Sequence, residues 1–187
     1  MRQNQALKPS LKWMLGSVSR TIAFGFGSGL SPKAPGTMGT LWAWAFFLVG
    51  NHFLSTENWL WLIGVSIVLG CWVCGQVSEE LGKKDFGGIV WDEIVAFWLL
   101  LVLTMPMTIW LQALAFGVFR FFDVAKPGPI GLIDRHFKHL EGGDSQTPSS
   151  FKQMLWRGFG IIADDLAAAF LTYLVIVAVK LVIKLTI

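Results

Sequence analysis

The chain has 187 residues, of which 54% are hydrophobic and 14% charged, with a mean hydropathy of +0.59; soluble globular chains carry roughly 25% charge. That balance leaves room for one domain and points to a bundle of membrane helices, while fifteen Phe and ten Trp exclude disorder, collagen-like repeats and a disulfide framework. The net charge of +3 contains no basic run dense enough for nucleic acid, so anionic lipid head groups are the better-matched partner.

Met1 to Lys12 is polar and basic, with no apolar core leading to a small-residue cleavage site, which argues against a cleaved signal peptide. Leu11–Phe24 alternates Trp13, Leu15, Val18, Ile22 and Phe24 with Lys12 and Arg20, the pattern of an interfacial amphipathic helix. A stretch rich in Gly, Ser and Thr follows, from Gly25 to Thr40. Glycines let a backbone approach an anion and a helix N-terminus offers unpaired N–H groups, so it reads either as a phosphate cradle or as a membrane-entry turn around Pro35 and Thr37.

Apolar runs then fall at Thr40–Phe53, Trp59–Val77, Ile89–Met105, Ile109–Phe122 and Ile161–Val182, giving about five crossings. The first and fourth are short against the roughly 20 residues that a ~30 Å core demands. Cys71 and Cys74 sit at helical spacing inside the second run and read as buried thiols, since no second Cys or His pair completes a zinc site. Lys and Arg concentrate before the first run, in the second connector and in the fourth, whereas Asn51–Asn58 and Thr104–Thr108 have none. The positive-inside rule therefore puts the first group of segments in the cytoplasm. Lys180 and Lys184 then fall near the outer end of the last run, where they are expected to snorkel. His52, His136 and His139 are spread between an outer loop and a connector and read as solvent-exposed.

The acids gather at the cytoplasmic ends of the runs. Asp92 and Glu93 open the third, Asp123 closes the fourth, Asp134 follows in the connector, and Asp164 and Asp165 open the fifth. A carboxylate inside a span costs at least ~2.5 kcal/mol on insertion scales, which makes a divalent-cation site the leading reading. Adjacent helical residues point about 100° apart, so within each acidic pair one carboxylate is expected to ligate and its neighbour to lie outside or bind a base. Structural salt bridges with Arg120, Lys126, Arg135 and Arg157 are one alternative, and an ion-coupled carrier or small transporter using the same acids is another. Arg120 and Asp123 share a helix face at i, i+3, and Pro127 fixes the direction in which Lys126 leaves that helix; such a fork and point charge suit a phosphate.

Taken together, GFGSGLSPKAPGTMGT (25–40), IVWDEIVAFW (89–98), FRFFDVAKPGPIGLIDR (119–135) and IIADDLAAA (161–169) resemble the phosphatidylglycerophosphatase A family in the same order. The resemblance implies a Mg²⁺-dependent membrane enzyme that removes the terminal phosphate of phosphatidylglycerophosphate to leave phosphatidylglycerol. Its Asp-Glu pair matches Asp92 and Glu93, its Arg…Asp…Lys-Pro motif Arg120, Asp123, Lys126 and Pro127, its later acids Asp134, Asp164 and Asp165, and its Gly-Thr element Gly36 and Thr37. The connector His136–Arg157 is longer and more polar than that family leads one to expect.

No CxxxxxR, DxDx or paired-His motif supports another phosphatase chemistry, which leaves metal-assisted hydrolysis. On this reading Mg²⁺ is held by some of Asp92, Glu93, Asp164 and Asp165. Arg120, Lys126 and Arg135 bind phosphate oxygens with Gly36 and Thr37, and Asp123 or Asp134 serves as general base or covalent nucleophile. The expected architecture is all-α: a single domain, 1–187, of about five spans in the cell's inner (cytoplasmic) membrane. It includes a basic amphipathic segment at 1–24 and a polar connector at 136–157, with the site facing the cytoplasm and the oligomeric state left open.

Overall fold

The computed structural model describes residues 9–83, 86–127 and 150–186, and every regular element among them is helical. Seven α-helices follow in order: α1 (Leu11–Leu15), α2 (Val18–Ala23), α3 (Pro35–Gly50), α4 (Thr56–Leu81), α5 (Trp91–Thr104), α6 (Ile109–Ala125) and α7 (Phe151–Thr186). A short 3₁₀ segment, Gly25–Leu30, stands between α2 and α3.

The single interfacial helix expected over Leu11–Phe24 is two helices broken at Gly16 and Ser17. Ser10 caps the first by accepting from the Trp13 N–H at 3.2 Å, and Ser17 adopts extended backbone before the second. Leu11, Leu15 and Val18 stay exposed along one side, while Met14, Ala23 and Phe24 are buried. Ser19 Oγ donates to Gln76 Oε1 at 3.1 Å, and Arg20 Nε meets Glu80 Oε2 at 2.8 Å while its guanidinium lies 4.5 Å above the Trp13 ring. These contacts tie α2 to the C-terminal end of α4.

Among the described residues, only α4 (26 residues) and α7 (36 residues) are long and apolar enough to cross a membrane. At 1.5 Å per residue α3, α5 and α6, with 16, 14 and 17 residues, run about 24, 21 and 25 Å, short of a ~30 Å core. α3 starts at Pro35, five residues ahead of the expected Thr40, because Pro is pre-set for the first helical turn. Ser55 and Thr108 cap α4 and α6 by accepting from Asn58 N and Leu111 N, and Gly82, at φ 62°, ends α4 in the left-handed conformation that glycine adopts freely.

α7 packs most extensively on α4, then on α5 and α6. The crossing on α4 is made by glycines: a Cβ on Gly158 would sit 2.9 Å from Cys71 Cα, and one on Gly75 would sit 3.2 Å from Gly158 N. This close backbone approach supplies dispersion contact between the two helices. α3 and α5 are joined by Trp98 Nε1, which donates to Ala43 O at 2.9 Å, and by Gly39 lying flat on Val90. Trp44 Nε1 donates to Gln112 Oε1 on α6 at 2.8 Å. Trp98 also packs with Trp59 and Phe46 at 5.8 and 5.2 Å, and Phe47 lies 5.0 Å from Trp59; such pairs are worth about 0.5–1.5 kcal/mol each.

Far from merely snorkelling, Lys180 donates to Thr104 O at 2.9 Å and Pro106 O at 3.2 Å, where it satisfies carbonyls left open at the C-terminus of α5. At the opposite end of the bundle, α3 and α5 begin, α6 ends and α7 passes through. There Trp91, the first residue of α5, donates from Nε1 to Ser66 O at 3.0 Å, in the middle of α4. The inner end of α4 therefore continues well beyond the start of α5, and the region beside it, the recess, is where the acids of α5 and α7 meet.

Candidate metal centre

Three helices deliver charge to that recess. The first turn of α5 supplies Asp92 and Glu93, the last two turns of α6 supply Arg120 and Asp123, Lys126 follows as the cap of α6, and α7 supplies Asp164 and Asp165. Asp92, Glu93 and Asp165 each bring a carboxylate oxygen within 4.8 Å of the other two. Asp92 is 8% and Asp165 3% exposed, and Asp92 Oδ1 and Glu93 Oε2 are buried with no hydrogen-bond partner. A buried carboxylate oxygen without a donor is costly, and two of them converging beside a third acid make a set that a bound cation would neutralise. An oxygen-only donor set suits a hard cation better than zinc or copper, which favour nitrogen and sulfur.

The bases frame the acids. Arg120 Nη1 lies 3.5 Å from Glu93 Oε1 and pairs with Asp123, as the i, i+3 spacing requires, while Asp123 and Asp165 are side-chain neighbours. Lys126 pairs with Asp164, whose other oxygen accepts the Asp165 N–H at 3.1 Å. Lys126 is itself left-handed, φ 41°, just before Pro127. A non-glycine residue in that region costs on the order of 1–3 kcal/mol, and here it turns the ammonium back over the end of α6 toward α7.

On α7 Asp165 joins the acidic cluster while Asp164 takes the lysine; on α5 both Asp92 and Glu93 belong to it, because Glu93 has one more methylene with which to swing back across the 100° between neighbours. The salt bridges named as an alternative reading also exist, at Arg120 with Glu93 and Asp123 and at Lys126 with Asp164, but they leave Asp92 Oδ1 and Glu93 Oε2 without a hydrogen-bond partner. Asp134 and Arg135, with His136 and His139, lie outside the described residues.

Of the Gly-rich stretch, only its C-terminal part reaches the recess. Gly36 is buried in the first turn of α3, and a Cβ there would lie 2.8 and 3.1 Å from Arg120 Nη2 and Nη1 and collide with Glu93 Oε1. Thr37 is next to it and half-buried. Gly25 and Gly29 pack instead on Val90, Ile94 and Gly88 at the start of α5, so they serve close packing and not an anion. One residue missed in the sequence is Thr40, fully buried, whose Oγ1 donates to Gly36 O at 2.9 Å and accepts from Arg120 Nη1 at 3.5 Å. Its i, i+4 relation to Gly36 becomes visible only once α3 is known to begin at Pro35.

A helical bundle enclosing an acid-rich recess that could hold a cation, flanked by an Arg and a Lys, is the class that fold and site define. The sequence model of the phosphatidylglycerophosphatase A family matches residues 21–142. The phosphatidylglycerophosphatase A of Haemophilus influenzae is 34% identical over 181 residues, 96% of this chain and 98% of that protein. That of Escherichia coli K12 is 36% identical over 163 residues, 87% of this chain and 80% of that one. No solved structure matches. The chain belongs to the phosphatidylglycerophosphatase A family. Nothing in these comparisons supports the transporter alternative, and the family match ends before α7, so the meeting of Asp165 with Asp92 and Glu93 is a finding of the structure.

Proposed function

We propose that this protein is a Mg²⁺-dependent phosphatase that hydrolyses phosphatidylglycerophosphate to phosphatidylglycerol and inorganic phosphate at the cytoplasmic face of a cell's inner membrane. The observation that carries the reading is the pair of partnerless buried oxygens, on Asp92 and Glu93, facing Asp165 and bordered by Arg120. These residues fit a hard cation: Asp92, Glu93 and Asp165 would hold Mg²⁺, with Asp164 at the margin. Bound there, the ion supplies charge neutralisation for a phosphoryl group.

The chain's own residues perform the remaining work. Arg120 exchanges part of its pairing with Glu93 and Asp123 for phosphate oxygens, Lys126 does the same from Asp164, and Arg135 joins them from the connector. The first-turn N–H groups of α3 at Gly36 and Thr37 face the same charge, and Thr40 keeps the guanidinium aimed along α3. Asp123 takes the proton of the attacking water, whose oxygen forms a P–O bond as the bond from phosphorus to the terminal glycerol oxygen breaks. The leaving alkoxide takes up that proton from Asp123, which returns to its starting carboxylate. Asp134 is the alternative base.

Residues 1–187 form one membrane domain in this reading, with α3 to α7 as five crossings and α1–α2 lying in the interface. The short α3, α5 and α6 set the site below the head-group plane, and the lipid reaches it laterally with its acyl chains still in the leaflet. The test is phosphate release from phosphatidylglycerophosphate in mixed micelles by purified protein, beside phosphatidic acid as a second lipid monoester. Release with Mg²⁺, loss with a chelator and recovery on adding Mg²⁺ back are expected, together with a higher unfolding midpoint when Mg²⁺ is present. Equal release in chelator, or none from phosphatidylglycerophosphate under any condition, refutes the reading.

A further inference from the structure

Three consecutive residues before α3 are left-handed: Gly25 (φ 51°), Phe26 (φ 55°) and Gly27 (φ 106°). Glycine accepts this freely, but a bulky aromatic does not, and such an outlier persists only where its surroundings over-determine it. The clamps are visible: Gly25 is wedged on Ile94 and Val90, its carbonyl accepts from Ser28 Oγ at 2.8 Å, and Gly29 abuts Gly88. Yet the ring held in place by this strain is 53% exposed, so burial in the core is not what the strain secures.

Phe26 stacks on Trp42 at 5.3 Å, Trp42 stacks on Phe46 at 5.4 Å, and Phe26 meets Trp91 edge-on at 6.2 Å. Trp91 immediately precedes Asp92, so one end of this aromatic ridge is anchored beside the carboxylates. The other end climbs α3 on its outward side, where Phe46 is 41% exposed. From Gly36 the rise to Trp42 is about 9 Å and to Phe46 about 15 Å. That is the stretch over which a head group of two glycerols and a phosphodiester must extend before its acyl chains begin.

We propose that the Phe26–Trp42–Phe46 ridge is the subsite for the acyl chains of the lipid whose phosphate lies at Gly36, with Phe26 the residue that sets the angle at which the chains leave the recess. The ridge offers a methylene chain flat, rigid and largely apolar surface, with the Trp42 indole N–H its one polar group. Contacts remote from the reacting phosphate orient it, so their loss shows on a substrate that has chains and vanishes on one that has none.

The inference rests on the phosphatase reading, and the experiment separates the two. Phe26→Ala, Phe26→Leu and Phe46→Ala are compared with the unaltered protein on diacyl phosphatidylglycerophosphate and on its deacylated, water-soluble head group, glycerophosphoglycerophosphate. Phe26→Ala is expected to lower kcat/KM on the diacyl lipid about tenfold, mainly through KM, with Phe46→Ala affected less and Phe26→Leu partly restored. Turnover of the deacylated head group should stay within about twofold, which also reports that each variant is folded. An unchanged kcat/KM on the diacyl lipid, or an equal fall on both substrates, overturns the acyl subsite. Failure of the unaltered protein on both substrates overturns the phosphatase reading and this inference with it.

Discussion

Gly36 has no room for a side chain. In Gly36→Ala the added carbon would collide with Glu93 Oε1 and lie 2.8 and 3.1 Å from the two terminal nitrogens of Arg120, so the guanidinium and the Glu93 carboxylate must both move aside. Alanine in the first turn of a helix is otherwise favourable, by up to about 1 kcal/mol over glycine, while overpacking costs typically 1–3 kcal/mol; the net change in stability is small. The catalytic effect is not. A displacement of about 1 Å in a phosphate-orienting group costs on the order of a hundredfold in rate, which is about 3 kcal/mol of transition-state stabilisation. Phosphate release from phosphatidylglycerophosphate in mixed micelles, together with the thermal unfolding midpoint in the same detergent, measures both quantities. The expected result is a near-normal midpoint with activity down about a hundredfold. Gly64→Ala on α4, where a Cβ meets nothing within 4 Å, is the matched control and should remain fully active. Gly36→Ala retaining more than about a third of the activity would refute the placement of the phosphate beside Arg120 and the start of α3.

Asp92→Asn and Asp165→Asn preserve shape while removing the charge a hard cation needs, so both should abolish Mg²⁺-dependent release; Asp164→Asn, at the margin, should weaken it by about 10–100-fold, and titrating Mg²⁺ against activity ranks the three. Full activity of either of the first two would make that acid structural. Gly158→Val should force α7 off the Cys71 backbone, lowering the unfolding midpoint by the equivalent of 1–3 kcal/mol or more and releasing Asp165 from the other two acids, whereas an unshifted midpoint would contradict the glycine crossing. In a background of Cys71→Ala and Cys74→Ala, cysteine at Lys83 should react with an impermeant thiol reagent only when the cytoplasmic face is open, and cysteine at Thr56 only from outside. Labelling of the Lys83 position in intact cells would invert the proposed orientation.

Composition and hydropathy were sufficient to call for an all-helical bundle, because a chain this poor in charge and this rich in apolar runs has few other ways to satisfy its backbone. They also gave the five long helices to within a few residues at most ends, with α7 the exception: its first ten residues are too polar to register as an apolar run, yet they continue the same helix. Which acids gather was legible too, since Asp92, Glu93 and Asp123 stand at helix ends, and Asp164 and Asp165, although inside α7, stand at the polar edge of an apolar run, where a charge is expensive. Roles within that set were not legible. Whether Asp164 or Asp165 turns inward depends on the rotation of α7 about its own axis, and that rotation is decided by Gly158 and Gly75, which touch across two helices more than eighty residues apart in sequence. Likewise the Gly-rich stretch reads as one motif, but its first half packs on α5 and its second half opens α3, a division made by Pro35 and by the pressure of Val90 against Gly39. Local sequence fixes what each helix is made of and where it is costly. Only the packing of one helix on another decides which of its faces carries the chemistry, because helices carry no record of their mutual rotation until their surfaces meet.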